Sequence, residues 1–259
     1  GPDDKPLFEL APEGFDKKKE GVPEGKLELM EYDSKSVGVK RKFFAYIPPG
    51  LKPNEKAPVL YLLHGIGGTE GEWPYAGLAP TILDNLISAG KAVRMILVMP
   101  NGRAQVNDRA EGNVFASAPA FEKFEADLIG SLIPFVESNL PALSGRSNRA
   151  LAGLSMGGGQ SLNIGLSNPD VFANVGGFSS APNTRQGARL VPDVEKAKTL
   201  KLLWVSCGDK DGLIGISQNT HAFLKEKGIK HLWHLDSGGH DFSVWKNDLY
   251  HFAQLIFRS

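Results

Sequence analysis

Six short apolar runs recur along the chain at spacings too wide for hairpins: APVLYLL (57–63), VRMILVMP (93–100), NRALAGL (148–154), NVGGFS (174–179), LKLLWVSC (200–207) and KHLWHLD (230–236). Most lack the polar–apolar alternation of a strand with one wet face, so they predict strands buried on both sides. Helical patterns fill the gaps. PTILDNLISAG (80–90) opens on proline and closes on glycine, the asymmetry of helix ends. In FEKFEADLIGSLIPFVESNL (121–140), Phe124, Leu128 and Leu132 form a stripe with Ile129, Ile133 and Val136 beside it. MGGGQSLNIGLSNP (156–169), QNTHAFLKEKG (218–228) and VWKNDLYHFAQLIF (244–257) read as further helices. Ahead of these, KLELMEYDS (26–34) and VKRKFFAYIPP (39–49) alternate partially around a turn at Gly38, which predicts an antiparallel pair.

Strands alternating with helices predict an α/β fold, a mostly parallel central sheet with helices on both faces. One catalytic-size domain is expected over 25–259. Residues 1–24, rich in proline, glycine and charge, read as an irregular lead-in or the end of a linker. Gly1-Pro2 at its start resembles the remnant of a protease cleavage site.

Composition removes several function classes. Lys plus Arg and Asp plus Glu both total 29, so no basic surplus points to nucleic acid. No apolar run approaches the roughly 18 residues that span a bilayer. One cysteine, Cys207, excludes an intrachain disulfide and reads as a core residue on a buried strand. No HExxH, paired CxxC or EF-hand loop occurs, so neither a catalytic metal nor a cofactor is expected.

The candidate chemistry begins at GLSMGG (153–158). Gly153-x-Ser155-x-Gly157 follows a predicted strand and precedes a predicted helix, the setting of a nucleophile elbow. A turn that sharp brings the residues two before and two after the serine together, and a side chain at either would clash. The Met156 N–H can then face a developing oxyanion. A phosphate loop is the other use of such glycines, but no lysine follows at the required place.

A serine nucleophile of this kind needs an acid and then a base later in the chain. His240 follows the last strand in the loop SGGHDF and is the base candidate. His221 and His251 lie in helical patterns, and His231 and His234 point to opposite faces of a strand. In GDKDG (208–212), Asp211 is the first choice as acid and Asp209 the fallback; Asp236 and Asp241 stand too near His240 in sequence. HGIGG (64–68) supplies a second oxyanion amide, Ile66 as the candidate with Gly67 open, and His64 reads as structural. Trp73 and Trp245 flank these loops. Each either stacks on a ligand or covers the core edge. The segments 101–121 and 179–193 are expected to shape the pocket.

YLLHGIGG, AGLSMGGGQSLNIGL, CGDKDGLIG and GGHDFSVWK together resemble the esterase-D-like α/β-hydrolases of carbohydrate esterase family 1, in particular the feruloyl esterase modules of multidomain xylanases. The likeness spans about residues 25–257. It implies an α/β-hydrolase fold, with Ser155, Asp211 and His240 as catalytic residues and Ile66 and Met156 as oxyanion donors. It also implies secretion, linkage to other carbohydrate-active modules, and a plant cell-wall substrate such as feruloylated or acetylated xylan. An acetylxylan esterase, an S-formylglutathione-type hydrolase and a non-catalytic carbohydrate-binding protein of the same fold are the alternatives.

Overall fold

The computed structural model describes residues 6–258; Gly1-Pro2 lies outside them. Eight strands form one sheet: β1 (Lys26–Asp33), β2 (Lys40–Ile47), β3 (Val59–Leu63), β4 (Ile96–Pro100), β5 (Arg149–Leu154), β6 (Asn174–Phe178), β7 (Leu202–Gly208) and β8 (Leu232–Asp236). Their spatial order is β1-β2-β4-β3-β5-β6-β7-β8. β1 pairs antiparallel with β2, and β2 with β4; every other pairing is parallel. The helices are α1 (Ala79–Ser88), α2 (Ala118–Glu122), α3 (Phe124–Asp127), α4 (Ile133–Asn139), α5 (Met156–Ser167), α6 (Val194–Ala197), α7 (Ile214–Glu226) and α8 (Phe242–Ala253).

The missing alternation in the strands has a direct cause. All five residues of β3 are buried. Val59, Tyr61 and Leu63 enter a core beneath α3, α4, α5 and α7, while Leu60 and Leu62 enter a second core beneath α1 and α8. Successive side chains point to opposite faces, and here both faces are covered.

The 121–140 pattern is not one regular helix. α3 and α4 are joined by a π-turn over Leu128–Leu132. Pro134 has no N–H to donate, and its ring crowds the carbonyl four residues back; a wider turn relieves both. The stripe still does its packing work, with Phe124, Leu128, Leu132 and Val136 fully buried. The final helix stops four residues earlier than its pattern and starts two earlier, where Asp241 caps it through Ser243 N (3.0 Å) and Val244 N (3.4 Å).

Residues 6–25 are irregular but docked. Leu7 forms a β-bridge with His234. Ala11 N donates to Asn247 Oδ1 (2.7 Å), Asn85 Nδ2 to the carbonyls of Phe15 and Lys17 (both 2.9 Å), and Lys246 pairs with Asp16 at 2.7 Å. Among the described residues no helix is long and apolar enough to cross a membrane.

A buried ion pair ties the antiparallel edge to the rest. Arg41 Nη1 lies 2.5 Å from Asp127 Oδ2, and their side chains are 1% and 0% exposed. Arg41 Nη2 also donates to the carbonyls of Asn101 (2.9 Å) and Arg103 (2.7 Å), fixing the start of the loop after β4. Removing one partner of such a pair strands the other charge in the core. Asp127→Ala should therefore cost about 3–5 kcal/mol of unfolding free energy by denaturant titration. A loss below about 1 kcal/mol would show that Arg41 is not held by Asp127.

Candidate active site

Ser155 joins β5 to α5 with φ 52° and ψ −116°. A non-glycine residue there costs of order 1–3 kcal/mol and persists only where its surroundings hold it. They do: Ser155 N donates to Phe178 O (2.9 Å), and Ser155 O accepts from Gly159 N (3.1 Å) and Ala181 N (3.0 Å). A Cβ on Gly153 would sit 2.5 Å from the Gly157 carbonyl oxygen. One on Gly157 would meet the His64 carbonyl oxygen at 2.5 Å and that of Leu63 at 2.6 Å. The elbow therefore packs backbone on backbone, both within itself and against the end of β3. The same holds for Gly158, where a Cβ would come within 2.9 Å of Phe178 O.

The other residues singled out by sequence arrive on loops at the same carboxyl edge of the sheet, where α/β folds build their sites. His240 Nε2 lies 2.9 Å from Ser155 Oγ, and His240 Nδ1 lies 2.7 Å from Asp211 Oδ2. Asp211 is buried, and its other oxygen accepts Leu213 N at 2.7 Å. An Nδ1–H donated to the carboxylate leaves Nε2 free to accept the serine proton. A proton can thus pass from Ser155 to an imidazole whose positive form Asp211 stabilises.

Asp209 has a different place. Its Oδ1 accepts Gly238 N (2.9 Å), its N donates to Asp236 O (2.8 Å), and Lys210 N donates to Gly238 O (2.8 Å). These bonds clasp the acid loop to the His240 loop. Asp236 accepts Asn247 Nδ2 at 2.8 Å and is turned away from His240's partners. His221 and His231 hydrogen-bond each other at 2.7 Å, well removed from Ser155's partners. Burial, then the neighbouring Asp211 charge, pushes the Cys207 thiol up to about 12, which leaves it unreactive.

Ile66 and Met156 line one cavity with Ser155 and His240; Gly67 does not. Met156 opens α5, so its N–H has no partner within the helix and lies at the positive end of the helix dipole. The peptide carrying the Ile66 N–H is held through its carbonyl: Gly65 O accepts from His64 Nδ1 (2.6 Å) and from Gly68 N (3.1 Å). His64 Nε2 in turn accepts Gly102 N at 2.9 Å, so the imidazole is neutral and bridges two loops.

The cavity, about 760 Å³ in all, is otherwise walled by Phe115, Ala118, Pro119, Ala181, Pro182 and Leu213, with Glu122 and Asn183 also facing it. These come chiefly from the two segments expected to shape it. The tryptophans do not. Trp73 is 1% exposed, donates Nε1 to Leu63 O (2.9 Å) and packs edge-on against Phe242. Trp245 is 8% exposed and sets its ring at 89° to His240, centroids 5.0 Å apart. Neither offers a free face, so of the two readings both rings fit the covering of the core edge, not stacking on a ligand. Adjacency in sequence to the site loops did not reveal that both rings turn inward.

Arg103 was not foreseen. Buried, it donates to the carbonyls of Ile66 and Gly68 (3.0 Å for the latter) and to Ser117 Oγ (2.9 Å), bracing the oxyanion loop against the cavity wall. A lone arginine in a predicted loop carries no sequence signal of burial.

Residues 34–254 match the family described as "Putative esterase". The chain belongs to this esterase family. The esterase is 34% identical over 243 residues to an endo-1,4-beta-xylanase/feruloyl esterase of Xylanibacter ruminicola; the match covers 92% of this chain but only 32% of that protein's length. An acetyl esterase of Caldicellulosiruptor saccharolyticus is 23% identical, covering 74% of this chain and 80% of the relative. The structure superposes with a TM-score of 0.83 on the CE1 ferulic acid esterase of Anaeromyces mucronatus, at 27% identity and 98% coverage of both chains. The sheet and helices are those of α/β-hydrolase esterases.

The esterase carries a titration signature at His64. Burial drives its pKa from 6.5 down to about 4. As pH falls from 6.5 towards 4, the unfolded chain takes up this proton and the folded one does not, so stability falls across that window. The full effect is about 3 kcal/mol. Denaturant titrations between pH 7 and pH 4 should give a shallower decline for His64→Gln by about that amount; parallel curves would mean that His64 does not stay neutral in the fold.

Proposed function

We propose that this chain hydrolyses hydroxycinnamate esters, feruloyl esters foremost, on xylan or arabinoxylan. The reading rests on one observation: the Ser155–His240–Asp211 hydrogen-bond chain opens onto an apolar cavity of about 760 Å³. An acetyl group would leave most of that space as wetted apolar wall, whereas a planar aromatic acyl group covers far more of it. The named feruloyl esterases among the relatives support the same choice.

In this mechanism Ser155 Oγ attacks the ester carbonyl while His240 Nε2 takes its proton. The carbonyl π electrons move to oxygen, and that oxyanion receives the Met156 and Ile66 N–H groups. Asp211 keeps the imidazolium in place. The intermediate collapses, the C–O bond to the sugar breaks, and His240 gives its proton to the leaving alkoxide. Water then repeats the sequence on the acyl-enzyme and releases the free acid and Ser155. No metal or cofactor takes part. A polymeric substrate does not enter a cell, so the enzyme works outside it, beside other carbohydrate-active modules.

The test compares kcat/KM on methyl ferulate, 4-nitrophenyl acetate and acetylated xylan. Methyl ferulate should lead, and Ser155→Ala should lower kcat by about 10⁴–10⁶-fold. Asp211→Asn should cost about 10⁴-fold, and Asp209→Asn, which disturbs only the loop clasp, should cost far less. Deacetylation of xylan without ferulate release would overturn the substrate assignment, and a greater loss for Asp209→Asn than for Asp211→Asn would overturn the acid.

A further inference from the structure

Beneath the loop that carries His240, three buried side chains converge. His234 and Asp236 come from β8, and Asp248 from α8; they are 2%, 2% and 0% exposed. His234 Nδ1 lies 3.5 Å from Asp236 Oδ1 and 3.7 Å from Asp248 Oδ1. One donor atom from each of the three lies within 4.8 Å of the others. Both nitrogens of His234, both oxygens of Asp248 and Oδ2 of Asp236 are buried without a hydrogen-bond partner.

These separations are too long for hydrogen bonds. They fit the edges of a coordination polyhedron instead: metal–nitrogen and metal–oxygen bonds of about 2.1 Å at tetrahedral angles put neighbouring donors roughly 3.4 Å apart. Charge points the same way. Two carboxylates removed from water need a positive partner, since an uncompensated buried charge costs several kcal/mol. Among the described residues no lysine or arginine is paired with them.

The donors are also held in place. Asn247 Nδ2 donates to Asp236 Oδ1 (2.8 Å), and the His234 ring stacks on Trp204 with centroids 4.9 Å apart. Such outer contacts orient metal ligands. Ser206, on the strand beside His234, adds a buried hydroxyl that faces Asp248.

We propose that His234, Asp236 and Asp248 form a structural site for a divalent first-row transition ion, zinc foremost. One imidazole with two carboxylates suits zinc, whereas calcium takes six to eight oxygens and has no use for an imidazole. The ion would cross-link the end of β8 to α8, the two elements that flank residues 237–241, and so fix the base of the His240 loop. The ligand spacing, His-x-Asp and then an aspartate twelve residues on, matches none of the metal motifs sought in the sequence.

The test is metal analysis of the intact protein, followed by calorimetric titration of chelator-treated protein with Zn²⁺ and, separately, Ca²⁺. The expected results are about one zinc per chain, rebinding of one Zn²⁺ with no response to Ca²⁺, and a lower Tm after chelation. Asp248→Asn should weaken zinc binding at least about 100-fold, while His231→Gln, which alters the surface His221–His231 pair, should leave it unchanged. Zinc binding lost in His231→Gln but kept in Asp248→Asn would overturn the site. So would the absence of both zinc uptake and any chelator effect in the wild type, which would mean that the two carboxyls share a proton instead.

Discussion

The contact between the α5 elbow and the end of β3 has no room for a side chain, and the rest of the site depends on it. Gly157 lies where a single methyl group would collide with the carbonyls of Leu63 and His64. That closeness brings Ser155, at the end of β5, beside the HGIGG loop at the end of β3, so that Ser155, Ile66 and Met156 line one cavity. The strained backbone of Ser155 is the cost of the arrangement. It is balanced by hydrogen bonds that Ser155 makes to Phe178, Gly159 and Ala181. Phe178 ends β6, Ala181 follows it in the next loop and Gly159 lies in α5, so the elbow is held only once β5, β6 and α5 are assembled.

Around that contact, two buried arginines do for the loops what the glycines do for the elbow. Arg41 holds the carbonyls of Asn101 and Arg103, and Arg103 holds those of Ile66 and Gly68. Each guanidinium presents several donors in a fixed fork, so one side chain can satisfy several otherwise orphaned carbonyls. His64 adds a neutral bridge between the same two loops. On the other side of Ser155, Asp209 and Lys210 bind the backbone of the His240 loop. The geometry around Ser155 and His240 is thus set by loops that are tied to one another, and only secondarily by the strands beneath.

Much of this was legible in the sequence because its causes are local. Buried-strand runs, helix-end residues and the elbow glycines each follow from short-range sterics or from burial on both faces, and the strands fell within a few residues of their runs. Ser155, His240 and Asp211 were visible because their order and loop positions are constrained by the chemistry. What the sequence did not disclose is long-range. The inward turn of Trp73 and Trp245 depends on Phe178, Phe242 and His240, which are distant in sequence from one or both rings. The burial of Arg41 depends on Asp127, eighty-six residues away. The π-turn before Pro134 arises from proline's missing donor inside an otherwise regular pattern, and its effect on the helix is visible only once the flanking turns are packed.

The central claim is that Ser155 forms a covalent bond to the acyl group with His240 as its base. Acid quenching of the enzyme during turnover of methyl ferulate, followed by peptide mass spectrometry, tests it directly. One feruloyl group should be found on the peptide containing Ser155, and none should form in Ser155→Ala or His240→Ala. An adduct on any other residue, or ferulate release at an undiminished rate by Ser155→Ala, would contradict it.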